Sequence, residues 1–490
     1  MKQSTVFRNK KTFFLAMGIF ILYIVMSSSA INEKQVSWGN MHNLYNSNRL
    51  SEGVPLNELD LLYGPVFYGF GSFFMKLGLD YIALKIVMLG ISVLTGVLVF
   101  LIAQNVFKDF RISVLSTAFY MFLPIHYGMG PSFDSDSFAI IFILFSVYLL
   151  TVNKKYTIIL AGMFAAIAVF TKIPVLPLAI APLGYFLIYQ KKEIILYSVP
   201  FFLLISYGIF YLNSIMYNSD NTRMIFDFLI VNPDNPIPLL RDFGWIEGFV
   251  VIVAIVGLFW YVKKFKTKSP MIFVALASPI AFGAILLPGV GIYEAEYVEP
   301  FVAIFAALTI FFLYDTLKFK KSRFRKIIPA LLIIIIFTQF IIFVLPDRER
   351  ILDWDGDRWA KELNTIADIH TILLEEYSSP GDYVIASPMA LYRTDRVFPL
   401  DHSQFDVLKI KYDLGYETAL EEMNVLHQMI DNKKIKMLIA YNSTTLNNHK
   451  YDDMQNQLFF PFYLDSLKES LAKNYEEFEE KGVYFYLPKE

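Results

Sequence analysis

The hydrophobic positions of the chain form long apolar runs that recur through its first 345 residues. A helix needs about 20 mostly apolar residues to cross the hydrocarbon core of a bilayer. Runs close to this length, separated by short polar stretches, predict about eleven transmembrane helices. The predicted spans are residues 13–29, 82–104, 112–128, 138–152, 156–171, 173–189, 194–216, 246–262, 271–287, 300–317 and 327–345. We therefore expect a membrane-embedded module over residues 1–345.

The pattern changes in the last part of the chain, residues 346–490. Segments 383–386, 436–440 and 483–487 are rich in β-branched and aromatic residues, which favours strands. Segments 359–377, 417–432 and 463–473 repeat apolar residues at helical spacing. Because strands and helices alternate, this part is predicted to form a soluble α/β domain.

Composition supports the membrane assignment. The 490 residues are 56% hydrophobic and only 18% charged, and the mean hydropathy is +0.47. Soluble domains have about 25% charged residues, so the chain is predicted to be a polytopic membrane protein. The net charge of −2 gives no indication of a nucleic-acid partner. Cysteine is absent, which excludes disulfides, thiolate catalysis and Cys-ligated metals.

The charges between the spans alternate in sign and predict the orientation in the membrane. Lys and Arg concentrate in cytoplasmic loops of membrane proteins. With the N-terminus in the cytoplasm, the loops on that side hold Lys108, Arg111, Lys154, Lys155, Lys191 and Lys192, and further basic residues after position 262. The opposite loops hold Glu58, Asp60, Asp134, Asp136, Glu294 and Glu296. The N-terminus is therefore predicted to be cytoplasmic and the C-terminal domain extracytoplasmic.

The first candidate catalytic residues are carboxylates in the external loops. Asp134 and Asp136 lie one residue apart in a polar stretch, residues 128–138, between two predicted spans. A carboxylate at the edge of hydrocarbon is costly, so it usually has a partner or a function. An N-cap on the next helix would account for one of the two, and we expect the other to be catalytic. Glu58 and Asp60 are further candidates, although first-turn residues favoured by a helix dipole are an equally good interpretation.

A metal site is the alternative interpretation of the Asp-Ser-Asp spacing. The pair would leave most oxygen ligands of a divalent ion to other residues. No cofactor is therefore predicted, and a divalent metal is the less favoured alternative.

The candidate phosphate ligands are three basic residues on the external side. Lys172 lies between two predicted spans, where positive charge is otherwise scarce. Snorkelling to the headgroups would explain it. We favour binding of an anionic lipid headgroup, because Pro174 fixes a break beside it. Arg223 and Arg241, in the fourth external loop, could bind phosphate or form ion pairs with neighbouring aspartates.

The fifth external loop, residues 288–300, clusters acidic and aromatic side chains. Glu294, Glu296 and Tyr297 suit hydrogen bonding to a sugar or an acceptor. A solvated acidic turn is the alternative.

Together these features resemble the GT-C superfamily of integral-membrane glycosyltransferases, in particular the branch of protein mannosyltransferases and the lipid A aminoarabinose transferase. The matching features are the long first external loop with Tyr63-Gly-Pro-Val-Phe-Tyr68, the acidic stretch Phe133-Asp-Ser-Asp-Ser-Phe138, the segment from Gly162 to Thr171-Lys172, and Glu296-Tyr-Val-Glu-Pro300. Two features depart from the family pattern. No acidic residue occurs in residues 38–45, soon after the first span, and Glu296 stands where the family often has Arg.

The resemblance implies a transfer that inverts the anomeric carbon of a polyprenyl-phosphate-linked sugar, for example a hexose such as mannose. The acceptor would be a lipid, a protein or a glycan on the extracytoplasmic face. Asp134, Asp136, Asp60 and Glu58 are the candidates for the base, and Lys172 with Arg223 and Arg241 would hold the donor phosphate.

Two other readings of the chain remain. One is a metal-dependent enzyme similar to oligosaccharyltransferases, whose Trp-Trp-Asp-Tyr-Gly signature is missing here. The other is a lipid or solute transporter or flippase, which would place ionisable groups near the membrane midplane. The predicted spans are nearly free of charge and the polar residues gather on one side, which favours an interfacial enzyme.

Overall fold

The computed structural model describes residues 10–31, 38–55, 64–130, 132–215, 237–265, 269–283, 296–319, 327–344, 357–399, 417–440, 465–481 and 483–489. Helices dominate the N-terminal part. They are α1 (Lys10–Ile31), α2 (Trp38–Ser51), α3 (Pro65–Lys76), α4 (Tyr81–Phe107), α5 (Phe110–Met121), α6 (Pro124–Met129), α7 (Ser135–Val152), α8 (Lys155–Thr171), α9 (Leu176–Tyr189), α10 (Ile194–Ile215), α11 (Ile237–Phe265), α12 (Pro270–Phe282), α13 (Glu299–Phe319) and α14 (Ile327–Val344).

Three of the described helices are long and apolar enough to cross a membrane by themselves. They are α4, α7 and the stretch Glu299–Leu317 of α13. Six shorter described helices are also apolar, among them α8 and α9. The count of eleven spans and the orientation of the termini stay predictions.

Proline and polar caps decide where several helices end. The apolar run 112–128 was expected to be one span, but it divides into α5 and α6. Pro124 lies at the start of α6, where its missing N–H needs no partner, whereas inside a continuous helix it would break a backbone hydrogen bond. The expected break near Pro174 is present: α8 ends at Thr171, Lys172 is extended, and a short 3₁₀ turn, Ile173–Val175, leads into α9.

The core of the helical part lies where α7 packs on α8 and on α4, and where α13 packs on α5 and α11. Its buried side chains include Phe119, Ile140, Leu144, Ala165 and Phe305. This packing brings the N-terminal ends of α7 and α13 together with the C-terminal end of α8. The candidate site described below occupies that junction.

The segment that carries α2 and α3, predicted from the sequence to be the first external loop and called the first external segment below, packs closely against the end of α8. Gly64, just before α3, donates its N–H to the carbonyl of Thr171 at 3.1 Å. A Cβ at Gly64 would lie 1.6 Å from the carbonyl oxygen of Phe170, so only glycine allows this approach. Residues Pro65–Lys76 of this aromatic segment form α3, and neither α2 nor α3 was among the helices predicted above.

The C-terminal residues form helices around a four-stranded sheet. The elements are α15 (Asp357–Tyr377), β1 (Val384–Ile385), α16 (Pro388–Thr394), α17 (Glu417–Asp431), β2 (Met437–Ala440), α18 (Asp465–Asn474), β3 (Tyr475–Glu480) and β4 (Val483–Pro488). The strand order is β1-β2-β4-β3, with β1 parallel to β2 and the other pairs antiparallel. Three strands lie where the sequence predicts them. The boundary at residue 346 stays a prediction.

The C-terminal residues around the sheet contact the first external segment. The hydroxyl of Tyr45, on α2, accepts a hydrogen bond from the N–H of Phe398 at 3.2 Å. Tyr45 also belongs to the apolar cluster that contains Leu373, Ile385 and Leu438. The first external segment therefore connects the helical part with the C-terminal residues.

Candidate active site

Three helix ends meet at one point and bring together a carboxylate, an ammonium and a phenol. Asp136 lies in the first turn of α7, Lys172 follows the last residue of α8, and Tyr297 lies in the turn that precedes α13. We call these three residues the junction triad. Each is at least nine-tenths buried.

Both oxygens of the Asp136 carboxylate have a partner. The ammonium of Lys172 forms an ion pair with Oδ2, and the hydroxyl of Tyr297 donates to Oδ1. Charge-assisted hydrogen bonds of this kind are stronger than neutral ones. The carboxylate therefore fixes the position of the Lys172 ammonium.

Asp134 acts on the backbone of the same helix. It is the N-cap of α7, and its Oδ1 accepts a hydrogen bond from the N–H of Asp136 at 2.8 Å. This contact satisfies one of the amide groups that every helix leaves unpaired at its start. Asp134 thereby orients the turn that carries Asp136.

Glu296 is hydrogen-bonded to α7 through Ser137, the residue that follows Asp136. The hydroxyl of Ser137 lies 2.9 Å from one oxygen of Glu296 and 3.1 Å from the other. Because Glu296 precedes Tyr297, two neighbouring contacts join α7 to this turn. Glu296 is fully buried in the structure.

Two further polar side chains contact the start of α13 or the residue before Tyr297, and they were not found from the sequence. His126, on α6, donates its backbone N–H to Glu299 at 3.1 Å, and its Nδ1 lies 3.9 Å from Glu296. Glu247, on α11, accepts from the backbone N–H of Ile125 at 3.4 Å. A single Glu inside an apolar helix is a recognisable signal of function, whereas nothing in the sequence near His126 indicated a site.

The first external segment approaches the same junction. Asn43, on α2, lies with its side-chain amide 3.5 Å from the carbonyl of Phe133 and accepts from the hydroxyl of Tyr68 at 3.3 Å. Phe133 immediately precedes the capping residue Asp134. Together with the contact from Gly64 to the end of α8, this places α2 and α3 beside the junction triad.

Several residues predicted for the site cannot be placed at the junction. Glu58, Asp60, Arg223 and Glu294 lie outside the described residues. Arg241 lies on α11, and its side chain is outside the described part. Their predicted roles stay predictions.

No protein-family model matches the chain, and no curated protein matches its sequence. Solved structures do match. ArnT from Cupriavidus metallidurans, a GT-C aminoarabinose transferase, superposes in the apo state with a TM-score of 0.62 at 9% identity, over 96% of this chain and 98% of ArnT. The same protein bound to undecaprenyl phosphate gives a TM-score of 0.63 at 10% identity, over 97% of each chain. The apo oligosaccharyltransferase from Archaeoglobus fulgidus gives 0.55 at 12% identity, over 97% of this chain and 74% of that one.

These identities show a shared fold and nothing finer. The agreement extends over nearly the whole chain, so it includes both the helical part and the C-terminal residues. The fold expected from the sequence motifs is confirmed at this level.

Proposed function

We propose that this chain, whose fold is that of the GT-C glycosyltransferases, transfers a sugar from a polyprenyl-phosphate carrier to an acceptor on the extracytoplasmic face of a membrane. The observation that carries the proposal is the junction triad, a buried ammonium held by Asp136 at the meeting point of three helix ends. Undecaprenyl phosphate in the ArnT complex supports a carrier of this class.

Lys172 is assigned to the donor phosphate. In the transfer, an acceptor hydroxyl oxygen forms a bond to the anomeric carbon while the bond from that carbon to the phosphate oxygen breaks. The electron pair of the broken bond stays on the phosphate, and the acceptor proton passes to a carboxylate. A preorganised cation stabilises the charge that develops on the leaving phosphate. Lys172 lies at the break between α8 and the 3₁₀ turn, and this break fixes its backbone position.

Asp136 is assigned to positioning Lys172. Its two oxygens accept from Lys172 and Tyr297, which leaves this carboxylate poorly suited to take a proton from an acceptor. Asp134, Asp60 and Glu58 are the remaining candidates for the base. Since Glu296 is buried and joined to Ser137, we propose that it and Tyr297 act through Asp136 and not through direct sugar contacts.

The transfer assay uses the full chain reconstituted in lipid vesicles with radiolabelled polyprenyl-phosphate sugars. Hexose and aminosugar donors are compared, and the acceptor is first sought by mass spectrometry of membrane glycolipids and surface glycans with and without the gene. We expect transfer by the wild type and its loss in Lys172→Met. Lys85→Met is the matched control, because Lys85 is a second buried lysine, on α4. Saturable solute uptake without any transfer product would instead support a transporter.

A further inference from the structure

Beside the junction triad lies a group of three side chains to which the proposed transfer gives no contact with the donor or the acceptor. His126, Glu296 and Glu299 each offer a ligand atom, and these atoms lie within 4.8 Å of one another. We call them the His–Glu cluster. All three are 1% exposed or less. A buried cluster of this composition needs a physical explanation, because isolated charges are not stable in an apolar interior.

The imidazole of His126 is fixed with one nitrogen directed at the carboxylates. Its Nε2 lies 3.0 Å from the hydroxyl of Ser92, and the ring of Tyr120 stacks on it at a centroid distance of 4.0 Å. Among the described residues, Nδ1 has no hydrogen-bond partner, and it lies 3.9 Å from an oxygen of Glu296. A neutral imidazole with a proton on Nε2 carries its lone pair on Nδ1. In the tautomer that donates from Nε2 to Ser92, that lone pair points into the cluster, and this is the tautomer that a metal ion would select.

The carboxylates are held in a similar way. One oxygen of Glu299 accepts the backbone N–H of His126 at 3.1 Å. The carboxyl of Glu299 also faces the buried carboxyl of Glu247, on α11, so a third acidic group lies beside the cluster. Glu296 is oriented by the hydroxyl of Ser137. The neighbouring cation, Lys172, forms its ion pair with Asp136. Two carboxylates and a lone pair thus converge, and a cation between them would satisfy all three.

We propose that the His–Glu cluster binds one divalent transition-metal ion, Zn²⁺ or Mn²⁺, through Nδ1 of His126 and one oxygen each of Glu296 and Glu299. Imidazole and carboxylate ligands suit these ions, and a divalent ion balances the two carboxylate charges. Metal-ligating histidines usually have a hydrogen-bond partner at their second nitrogen, which is the place of Ser92 here. The ligands differ from the Asp134 and Asp136 pair considered from the sequence.

The ion would join two distant parts of the chain. His126 lies on α6, and Glu299 begins α13. Their shared ion would therefore fix the turn of residues 296–298, which precedes α13. Because Tyr297 donates to Asp136, the ion is expected to support the junction triad without contacting the donor sugar.

The test measures metal content and thermal stability of the purified full chain, neither of which requires transfer activity. The protein is stripped with a chelator, incubated with Zn²⁺, Mn²⁺ or Mg²⁺ alone, freed of excess metal and analysed by mass spectrometry for bound metal. His126→Gln and Glu299→Gln remove one ligand each. His370→Gln is the matched control: His370 is also fully buried with an unpartnered ring nitrogen among the described residues, but it lies in α15, outside the cluster.

We expect about one equivalent of Zn²⁺ or Mn²⁺ per chain and a higher unfolding midpoint in the wild type, because binding to the folded state alone stabilises it. His126→Gln and Glu299→Gln should bind at least tenfold less metal, while His370→Gln keeps the full amount. If the stripped wild type binds no Zn²⁺ or Mn²⁺ and its midpoint does not change, the carboxylates are neutralised by protons and the proposal is wrong. Equal metal content in Glu299→Gln and the wild type would also overturn it. Because the wild-type arm needs no variant, a misfolded variant does not remove the test.

Discussion

Replacing Lys172 by methionine removes the ammonium of the junction triad and keeps most of the side-chain volume. The variant leaves the Asp136 carboxylate buried without its ion-pair partner, since the side chain of Asp136 is 2% exposed. Asp136→Asn creates the opposite defect, an ammonium without its carboxylate. The double variant removes both charges. These three variants and the wild type form a double-mutant cycle.

The burial of the ion pair between Lys172 and Asp136 determines how large the effects on stability should be. Removing one partner of a buried ion pair costs about 3–5 kcal/mol of stability, whereas replacing both is often close to neutral. Each single variant should therefore be less stable than the double variant. Loss of one preorganised transition-state donor lowers kcat by about 10²–10³-fold, and we expect this loss in Lys172→Met. Asp136→Asn should lose less, because the ammonium remains but is no longer held in place.

The assay combines thermal unfolding in detergent with single-turnover transfer in vesicles. If Asp136 acts through Lys172, the double variant should have the same kcat as Lys172→Met. The control Lys85→Met loses the contact of its ammonium with the ring of Tyr81, 4.8 Å away, and should keep kcat. Wild-type kcat in Lys172→Met, or a double variant less stable than both single variants, would refute the reasoning.

Three further predictions concern the surroundings of the junction. Gly64→Ala should displace the first external segment, because its Cβ would overlap the carbonyl of Phe170, and limited proteolysis should then cleave that segment faster; unchanged cleavage would contradict the packing. Tyr45→Phe should destabilise the C-terminal residues by about 1 kcal/mol through loss of the hydrogen bond from Phe398, which hydrogen exchange would detect. Burial lowers the pKa of His370 to about 3, so its neutral form is favoured in the folded state. The contribution of His370 to the free energy of unfolding should be fully present above pH 6.5 and should fall by about 2 kcal/mol at pH 5. Chemical unfolding measures this loss, which should be absent in His370→Gln.

The sequence predicted those features that depend on local patterns. Apolar run lengths located the long helices, and β-branched segments located β1, β2 and β4. The edge strand β3 was missed because four of its six residues are Glu, which have a low strand preference, and its pairing with β4 stabilises it. The break at Lys172 followed from Pro174, because a proline constrains the residues before it.

The arrangement of the site depended on long-range contacts that no local pattern encodes. Asp136, Lys172 and Tyr297 were each singled out, but their direct contact arises from the packing of α7, α8 and α13. His126 was missed because a lone histidine has no periodic signal, and its meaning comes from carboxylates far along the chain. The contact of Glu296 with Ser137 also arises from this packing, and its predicted role in binding a sugar or an acceptor stays a prediction.

The central claim is that Lys172 holds the phosphate of a polyprenyl carrier, and the most direct test is the affinity of the purified chain for undecaprenyl phosphate. Binding is compared between the wild type, Lys172→Met and Lys85→Met, with undecaprenol as the uncharged reference ligand. A charge-assisted contact is worth about 1.5–3 kcal/mol, so Lys172→Met should bind about 10- to 100-fold more weakly, while Lys85→Met binds like the wild type. Equal affinity of the wild type for undecaprenyl phosphate and undecaprenol, or an unchanged affinity in Lys172→Met, would contradict the account.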